Sequence, residues 1–405
     1  MRIAVVSPFL DRQHGTERCI VEQIEYSLRQ PGCEIHIYAQ SIRDLRVVRS
    51  GGSSASQAAP GKAIWHRIPT VPGPHLLNFL WWYFANQALR WFHRKYCGLR
   101  FDLVFSPGIN CADAGAIVVH IVFHEFFRLV HSDLRLRNAP LSSWPVLLHR
   151  LLYYRLIMAL ENRIYRNPRV RLAAVSRLTS AELSRHFSRN DVTVIPNAVD
   201  LAHLNLPERL RRREQARLNL QIPEAAFVLL LIGNDWKKKG LTPLLNAIAA
   251  LPDIPIRLLV VGRDDRTPFL EQIRQLHLEG RVLFLEPSSD IMQFYAAADV
   301  YTGPSLHDSF ALPPIEAMAT GLPVVTTVTN GGSQIITEGK DGFVLNDAQD
   351  SAALSQVISR LYDHSDLRRS VGEQASRTAQ SYSWERNAAE TWEFVCRATG
   401  SSSHV

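Results

Sequence analysis

Asp308 and Glu316 stand with seven residues between them, flanking Ser309-Phe310-Ala311-Leu312-Pro313-Pro314-Ile315. The two prolines suit the first turn of a helix, where a missing N–H costs nothing. Gly321 and Pro323 punctuate its end. A loop that delivers small residues to a helix N-terminus is an anion site, because free N–H groups and the helix dipole point at the ligand. Two carboxylates beside it add acceptors for hydroxyl groups. Earlier, Lys237-Lys238-Lys239-Gly240 places three ammonium groups at a strand-to-helix loop, a cationic point suited to phosphate. The chemistry these residues offer is capture of a phosphorylated, hydroxyl-bearing ligand. The plainer alternative is a buried turn, helix and strand with solvated charges.

Strands and helices must position these groups. Ala226–Ile232 is a continuous apolar strand that feeds the lysine loop, and Val324-Val325-Thr326 is a β-branched strand after the Asp308 helix. Ile256–Gly262 and Val282–Leu285 read as further strands, and 290–298 as a helix. Asp264-Asp265 offers two adjacent acids, more often solvated than metal-bound. In the first half, Arg2–Val6 is a buried strand that leads through a loop with Gly15 into a helix over Ile20–Leu28, the opening unit of a doubly wound domain. Glu34–Ala39 and Asp102–Pro107 read as strands, and Ala116–Glu125 as a longer one that carries His120 and His124. Residues 50–62 read as a mobile small-residue loop, and 75–95 and 146–166 as helices. The 75–95 helix is aromatic and ends basic. It reads as a core helix, with an interfacial membrane helix as the second reading. Ser176 reads as the N-cap of a helix. The charged stretch Glu208–Arg217 reads as a linker between domains.

The chain has 405 residues, 46% hydrophobic and 20% charged, which suits two globular domains and excludes disorder. Met1–Leu10 lacks the features of a signal peptide, and no run of eighteen apolar residues occurs, so neither secretion nor a membrane-spanning helix is expected. Five scattered cysteines read as reduced thiols of a cytoplasmic protein. Residues 1–197 hold 25 Lys/Arg against 13 Asp/Glu, and the remainder 20 against 25. A basic first half calls for an anionic partner. No nucleic-acid motif accompanies the charge, so an anionic lipid surface or a phosphorylated acceptor glycolipid is expected instead of nucleic acid.

The stretch from Pro304 to Thr326 resembles the donor-site signature of glycosyltransferase family 4, whose members are retaining enzymes of the GT-B fold. The family pattern is Glu, seven residues, Glu, with Phe-Gly-Leu-Pro inside and Gly-x-Pro-Val-Val after it. Glu316, Phe310-Ala311-Leu312-Pro313 and Gly321-Leu322-Pro323-Val324-Val325 match. Asp308 replaces the first Glu, and Ala311 replaces a Gly. Pro196-Asn197-Ala198-Val199-Asp200 resembles an interdomain segment, Lys239-Gly240 a diphosphate-binding pair with Asn234 where Arg is usual, and His14-Gly15-Thr16-Glu17-Arg18 a Gly-rich loop near the donor phosphates.

The resemblance implies two doubly wound α/β domains facing a cleft. An acceptor domain spans 1–197, a nucleotide-sugar domain 198–382, and a last helix over 383–398 crosses back. It implies transfer of a hexose from a nucleotide-sugar, a UDP-sugar above all, to a hydroxyl of a cell-envelope glycan or glycolipid, with the leaving phosphate taking the acceptor proton. Lipopolysaccharide-core glucosyltransferases are the subgroup it resembles. Catalytic roles fall to His120, Lys239 and Asp308. Donor contacts fall to Gly15, Lys237, Lys238, Lys239, Ser309, Phe310, Ala311, Leu312 and Glu316. Glu125 follows His120 at the spacing seen in the subgroup, and Pro287–Ile291 falls where the base packs. No metal or cofactor is implied. Rival readings are a sugar-nucleotide epimerase and a non-catalytic sugar-nucleotide-binding relative.

Overall fold

The computed structural model describes residues 1–12, 15–49, 63–131, 142 and 144–400. His14 and the loop over 50–62 lie outside the described residues. The chain divides into two compact units, Met1–Ile195 with Glu385–Val405, and Pro196–Trp384.

The first unit is built on an all-parallel sheet. Its strands lie in the order Thr193–Val194, Arg171–Ala174, Ala116–Val119, Leu103–Pro107, Arg2–Val6, Glu34–Ala39, Ala63–Arg67 and Val47–Arg49. Ala4, Val6, Ile117, Val119 and Leu172 point to a core that Trp82, Ile164, Tyr165 and Leu183 cover from helices. Ile3, Val5, Ile35 and Phe105 face the other side, with Ile20 and Ile24 of the helix Gly15–Leu28 and Val395 of the helix Trp384–Thr399. Gln23 donates to Asn387 at 3.0 Å there, and Arg29 pairs with Glu385 at 2.7 Å. Near-continuous apolar strands are what a parallel sheet covered on both faces requires. The strand order reverses between Arg2–Val6 and Leu103–Pro107, and a crevice opens beyond the carboxyl ends of strands at such a reversal.

The second unit is a six-stranded parallel sheet in the order Val282–Leu285, Ile256–Val261, Phe227–Ile232, Val300–Thr302, Val324–Thr327 and Phe343–Leu345. In chain order this is 3-2-1-4-5-6, the dinucleotide-binding arrangement, with its switch point between Phe227–Ile232 and Val300–Thr302. All six residues of Phe227–Ile232 are buried. The loops that leave those two strands carry Lys239 and Asp308.

Two expectations are corrected. Ala116–Glu125 is not one strand: it ends at Val119, and Phe123–Val130 is a helix. Its first turn forms because buried Glu161, on the helix Trp144–Tyr165, accepts the N–H groups of Phe123 and His124 at 2.7 and 3.1 Å. Glu208–Arg217 is not a linker but lies within the helix Leu206–Asn219, capped by Asn205 and tied to its unit by Arg213–Asp299 and Arg212–Asp290 pairs. A ladder of arginines on one helix face has acidic partners across the groove, and that pairing is invisible in local composition.

Candidate functional site

The lysine loop is held by backbone geometry. Gly233 and Gly240 have φ of +140° and +83°, values that favour glycine. A side chain on Gly240 would stand 2.0 Å from the Pro304 carbonyl oxygen, so the two switch-point loops touch only because that position is bare. Leu306 N–H donates to the Lys238 carbonyl at 2.7 Å across the same seam. Asn234 does not substitute for a cation: its Oδ1 accepts the Arg263 N–H at 2.8 Å and joins two loops. Asp264 is equally committed, accepting the Trp236 N–H at 2.7 Å, and Asp265 accepts that of Thr267 at 2.8 Å. Among the described residues no group of three His, Cys, Asp or Glu could hold a metal ion.

The three lysines differ. Lys238 pairs with Asp235, one helical turn back, at 2.5 Å. Lys239 turns the other way, over bare Gly233, and reaches Asp308 Oδ2 at 2.5 Å. Lys237 makes neither of these ion pairs. Among the sequence candidates, then, Lys239 and Asp308 are brought together at the switch point, with both side chains about one-fifth exposed or less, 16% and 21%.

Asp308 has a second task. Its Oδ1 accepts the Phe310 N–H at 3.2 Å, while its backbone bonds to Thr329 and Gly331. Asn330 Oδ1 receives the N–H groups of Ala311 and Gly332 at 3.4 and 2.9 Å. These bonds turn the chain into the helix Leu312–Ala319, whose N-cap Ala311 has φ −65° and ψ 135°. Glycine is not needed there, so Ala311 is no obstacle to the loop conformation. The prolines carry a cost for anion binding, since neither Pro313 nor Pro314 has an N–H to offer. Phe310 and Ala311 are already engaged. Among the described residues, the N–H groups of Ser309 and Leu312 have no intramolecular acceptor and remain for a ligand. Glu316 lies one turn further on and accepts the Tyr295 hydroxyl at 2.6 Å. Burial and the neighbouring Glu316 carboxylate raise the Tyr295 pKa well above the usual phenol range, so that bond keeps its proton.

In the first unit, His120 follows the strand Ala116–Val119 and lines a cavity of about 480 Å³. It keeps some exposed surface, yet protein atoms crowd it closely enough that desolvation lowers its pKa to about 4. It is a neutral imidazole at physiological pH. Gly15 opens the helix Gly15–Leu28. His124 and Glu125 are corrected as candidates. His124 Nδ1 lies 2.6 Å from Glu161, with Asn162 on its other nitrogen at 3.0 Å. Glu125 is buried against Arg128 at 2.8 Å and His186 at 3.0 Å, which hold its carboxyl below the usual range despite the opposing effect of burial.

Sequence reasoning missed Tyr295, Asn330 and bare Gly233. Asn330-Gly331-Gly332 is a turn signature that marks Asn330 as a local cap. Nothing in sequence marks Tyr295, which meets Glu316 only through packing.

Residues 14–203 match the sequence model described as Glycosyltransferase Family 4, and residues 212–378 that described as Glycosyl transferases group 1. A D-inositol 3-phosphate glycosyltransferase of Pseudarthrobacter chlorophenolicus is 31% identical over 94% of this chain and 89% of its own length. For its Corynebacterium urealyticum counterpart the identity is 35%, but the match spans only 49% of this chain and 49% of that relative, about half of each. Among solved structures, WaaG, a glycosyltransferase involved in lipopolysaccharide biosynthesis, superposes with a TM-score of 0.74 at 19% identity, covering 97% of this chain and 99% of its own. Anabaena HepE in complex with UDP-glucose gives 0.65 at 19%, covering 97% and 99%. With two parallel α/β units of this topology and a relative matched nearly end to end, the chain belongs to glycosyltransferase family 4 and has the GT-B fold.

Proposed function

We propose that the protein is a retaining hexosyltransferase that uses a UDP-sugar and glycosylates a hydroxyl of a glycan or glycolipid. The observation that carries this reading is the Lys239–Asp308 pair at the switch point, with the open N–H groups of Ser309 and Leu312 beside it. HepE, which shares the fold, has been crystallised in complex with UDP-glucose, which supports a nucleotide-sugar donor. In this reading Glu316 takes the ribose hydroxyls, held by Tyr295. Lys239, Lys237, Lys238 and the Ser309–Leu312 turn take the diphosphate.

The bond between the anomeric carbon and the diphosphate oxygen breaks, and its electron pair leaves on the phosphate. The acceptor oxygen bonds to that carbon from the same face, and its proton passes to the departing phosphate oxygen. Lys239 stabilises the charge that develops there. A fixed donor of this type contributes roughly 10²–10³ in rate. The chain's own residues bind, orient and neutralise, and no nucleophile is required.

In this reading the acceptor is met at a membrane surface. Leu77, Trp81, Phe84 and Trp91 form one stripe on the helix His75–Tyr96, each 42–62% exposed, and no helix of the described residues is long and apolar enough to cross a bilayer. An aromatic stripe with a basic end suits the interface rather than the interior of a membrane.

Purified protein incubated with UDP-, GDP- and ADP-hexoses tests the reading. Turnover or slow hydrolysis of a UDP-hexose with retained anomeric configuration is expected. Inversion would overturn the retaining assignment. Interconversion of free nucleotide-sugars would indicate an epimerase, and binding without turnover a non-catalytic relative.

A further inference from the structure

The cavity of the first unit has a lining unlike that of a phosphate site. It encloses about 480 Å³ beyond the carboxyl ends of the strands Arg2–Val6 and Leu103–Pro107. One wall is apolar and aromatic, made of Phe79, Trp82, Phe123, Tyr153, Ile109 and Ile157. Tyr153 is the centre of this wall: the rings of His75, Phe79 and Phe123 lie 4.6, 5.7 and 6.4 Å from it, all edge-on. The rest of the lining is more polar, with Glu17 its one charged side chain among the described residues. Gln40 is 7% exposed, and its side-chain amide has no hydrogen-bond partner among the described residues. An amide that lines a cavity and has no protein partner is available to a ligand that can both donate to it and accept from it. Thr16 and His120 bring two further uncommitted polar groups to the same space. Among the described residues no lysine or arginine lines the cavity, and its one carboxylate, Glu17, repels anions.

We infer that this cavity takes an uncharged glycoside whose sugar hydroxyls bond Gln40, Thr16 and His120, and whose apolar aglycone covers Phe79, Phe123 and Tyr153. An amide can donate to one hydroxyl and accept from the next, the pattern that a sugar ring presents. Flat aromatic rings match the apolar face of a sugar and an alkyl or aryl group beyond it. A phosphorylated cyclitol, the acceptor in the names of the curated relatives, finds no lysine or arginine among the described residues of this lining. The inference deepens the transferase reading by naming the acceptor class of this chain.

The test is equilibrium binding to the full-length protein, followed by calorimetry and by intrinsic tryptophan fluorescence, to which Trp82 in the lining contributes. The probes are octyl and methyl β-glucoside, galactoside and mannoside, each below micelle-forming concentration, and inositol 3-phosphate. At least one octyl glycoside is expected to bind tenfold or more tightly than its methyl counterpart, with little dependence on salt. Inositol 3-phosphate is expected to compete weakly or not at all. Gln40→Met, which keeps the volume and removes the amide, should weaken octyl glycoside binding about tenfold. Phe79→Ala should erase the octyl-over-methyl preference. UDP binding by both variants serves as the fold control. Tighter binding of inositol 3-phosphate than of every octyl glycoside, or no effect of either variant, overturns the inference. Transfer to inositol 3-phosphate would keep the transferase reading and discard this one. Octyl glycoside binding without any nucleotide-sugar turnover would do the reverse.

Discussion

Lys239 Nζ lies 2.5 Å from Asp308 Oδ2, two side chains from the two loops that leave the central strands of the second unit. The pair is pre-organised by backbone: Gly233 leaves room beneath the lysine stem, and Asp308 is itself pinned by the Phe310 N–H. A cation held by a carboxylate is available to an arriving phosphate only if it can exchange partners. Lys239→Ala is therefore expected to lower kcat by roughly 10²–10³ and to weaken UDP binding less, since its charge counts most as the diphosphate departs. Asp308→Asn keeps the acceptor for Phe310 and removes a negative charge, so UDP should bind more tightly while UDP-sugar turnover falls. If Lys239→Ala changed only KM, Lys237 would become the better candidate for the leaving group.

Glu316 is the second site carboxylate, and its orientation depends on Tyr295. Glu316→Gln retains an acceptor for the tyrosine and loses the charge that favours two ribose hydroxyls. About a tenfold rise in the UDP dissociation constant is expected, with a melting temperature within a few degrees of the parent. Tyr295→Phe removes the hydroxyl donor to the carboxylate, a bond to a charged group worth about 1.5–3 kcal/mol. Part of that should appear as weaker UDP binding. Calorimetry that finds both variants binding UDP like the parent removes Glu316 from the site.

The strands and the donor loop were legible because their signals are local. The run Phe227–Ile232, the paired prolines and Gly321 each constrain their own neighbourhood. The Lys239–Asp308 pair was only half legible: both residues stood out by type, but their union depends on Gly240 letting one loop touch the other. The sequence singled out Lys239 by the glycine after it, but not that Lys238 would turn to Asp235, whose φ is +58°. His124 and Glu125 were misread as the end of a strand because apolar periodicity cannot see Glu161, which arrives from another helix to start theirs. Gln40 gave no signal, since a lone amide at a strand end is ordinary until the cavity around it is known.

A buried histidine cluster predicts acid sensitivity of the first unit. His36 Nδ1 lies 2.8 Å from His66 Nε2, His93 Nδ1 lies 2.7 Å from the Tyr38 hydroxyl, and Glu34 and Phe101 close the sides. Burial lowers all three imidazole pKa values, that of His66 to about 3, with the neighbouring histidines adding to the shift. A folded pKa below the unfolded value means that the unfolded chain binds the extra proton. Stability is therefore full above the unfolded pKa of about 6.5 and is lost as pH falls toward the folded values. Each such histidine costs about 1.4 kcal/mol per pH unit in that window. Urea midpoints measured between pH 7.5 and 5 should fall steeply, and His66→Phe, which keeps the stacking on Tyr38, should reduce the slope by about one proton. An unchanged slope in that variant would show that His66 is protonated in the folded state.

The exposed aromatic stripe predicts binding to anionic membranes. Trp81, Phe84 and Trp91 lie on one face of the helix His75–Tyr96 while Trp82, Tyr83 and Arg90 hold its other face in the fold. Lys95 Nζ rests 4.8 Å from the Trp91 ring centre, which joins a cation to the apolar surface. The neighbouring helix Trp144–Tyr165 adds Trp144, Val146, Leu148 and Leu152, all exposed. Exposed apolar side chains gathered on a surface mark interaction sites. The basic balance of residues 1–197, 25 against 13, selects an anionic surface. Attraction to such lipid contributes about 1 kcal/mol per nearby basic residue and is screened over about 8 Å at physiological salt. Co-sedimentation with phosphatidylglycerol vesicles should therefore be strong at low salt and weaken as salt rises, and zwitterionic vesicles should bind far less. Replacing Trp81, Phe84 and Trp91 together by Ser should abolish binding at physiological salt, where only screened electrostatic attraction remains. Since their side chains contribute to the surface rather than the core, the triple variant should keep the parent's UDP affinity. Retention of the triple variant on vesicles at physiological salt, or equal binding of the parent to both lipids, would assign the stripe to a protein partner instead.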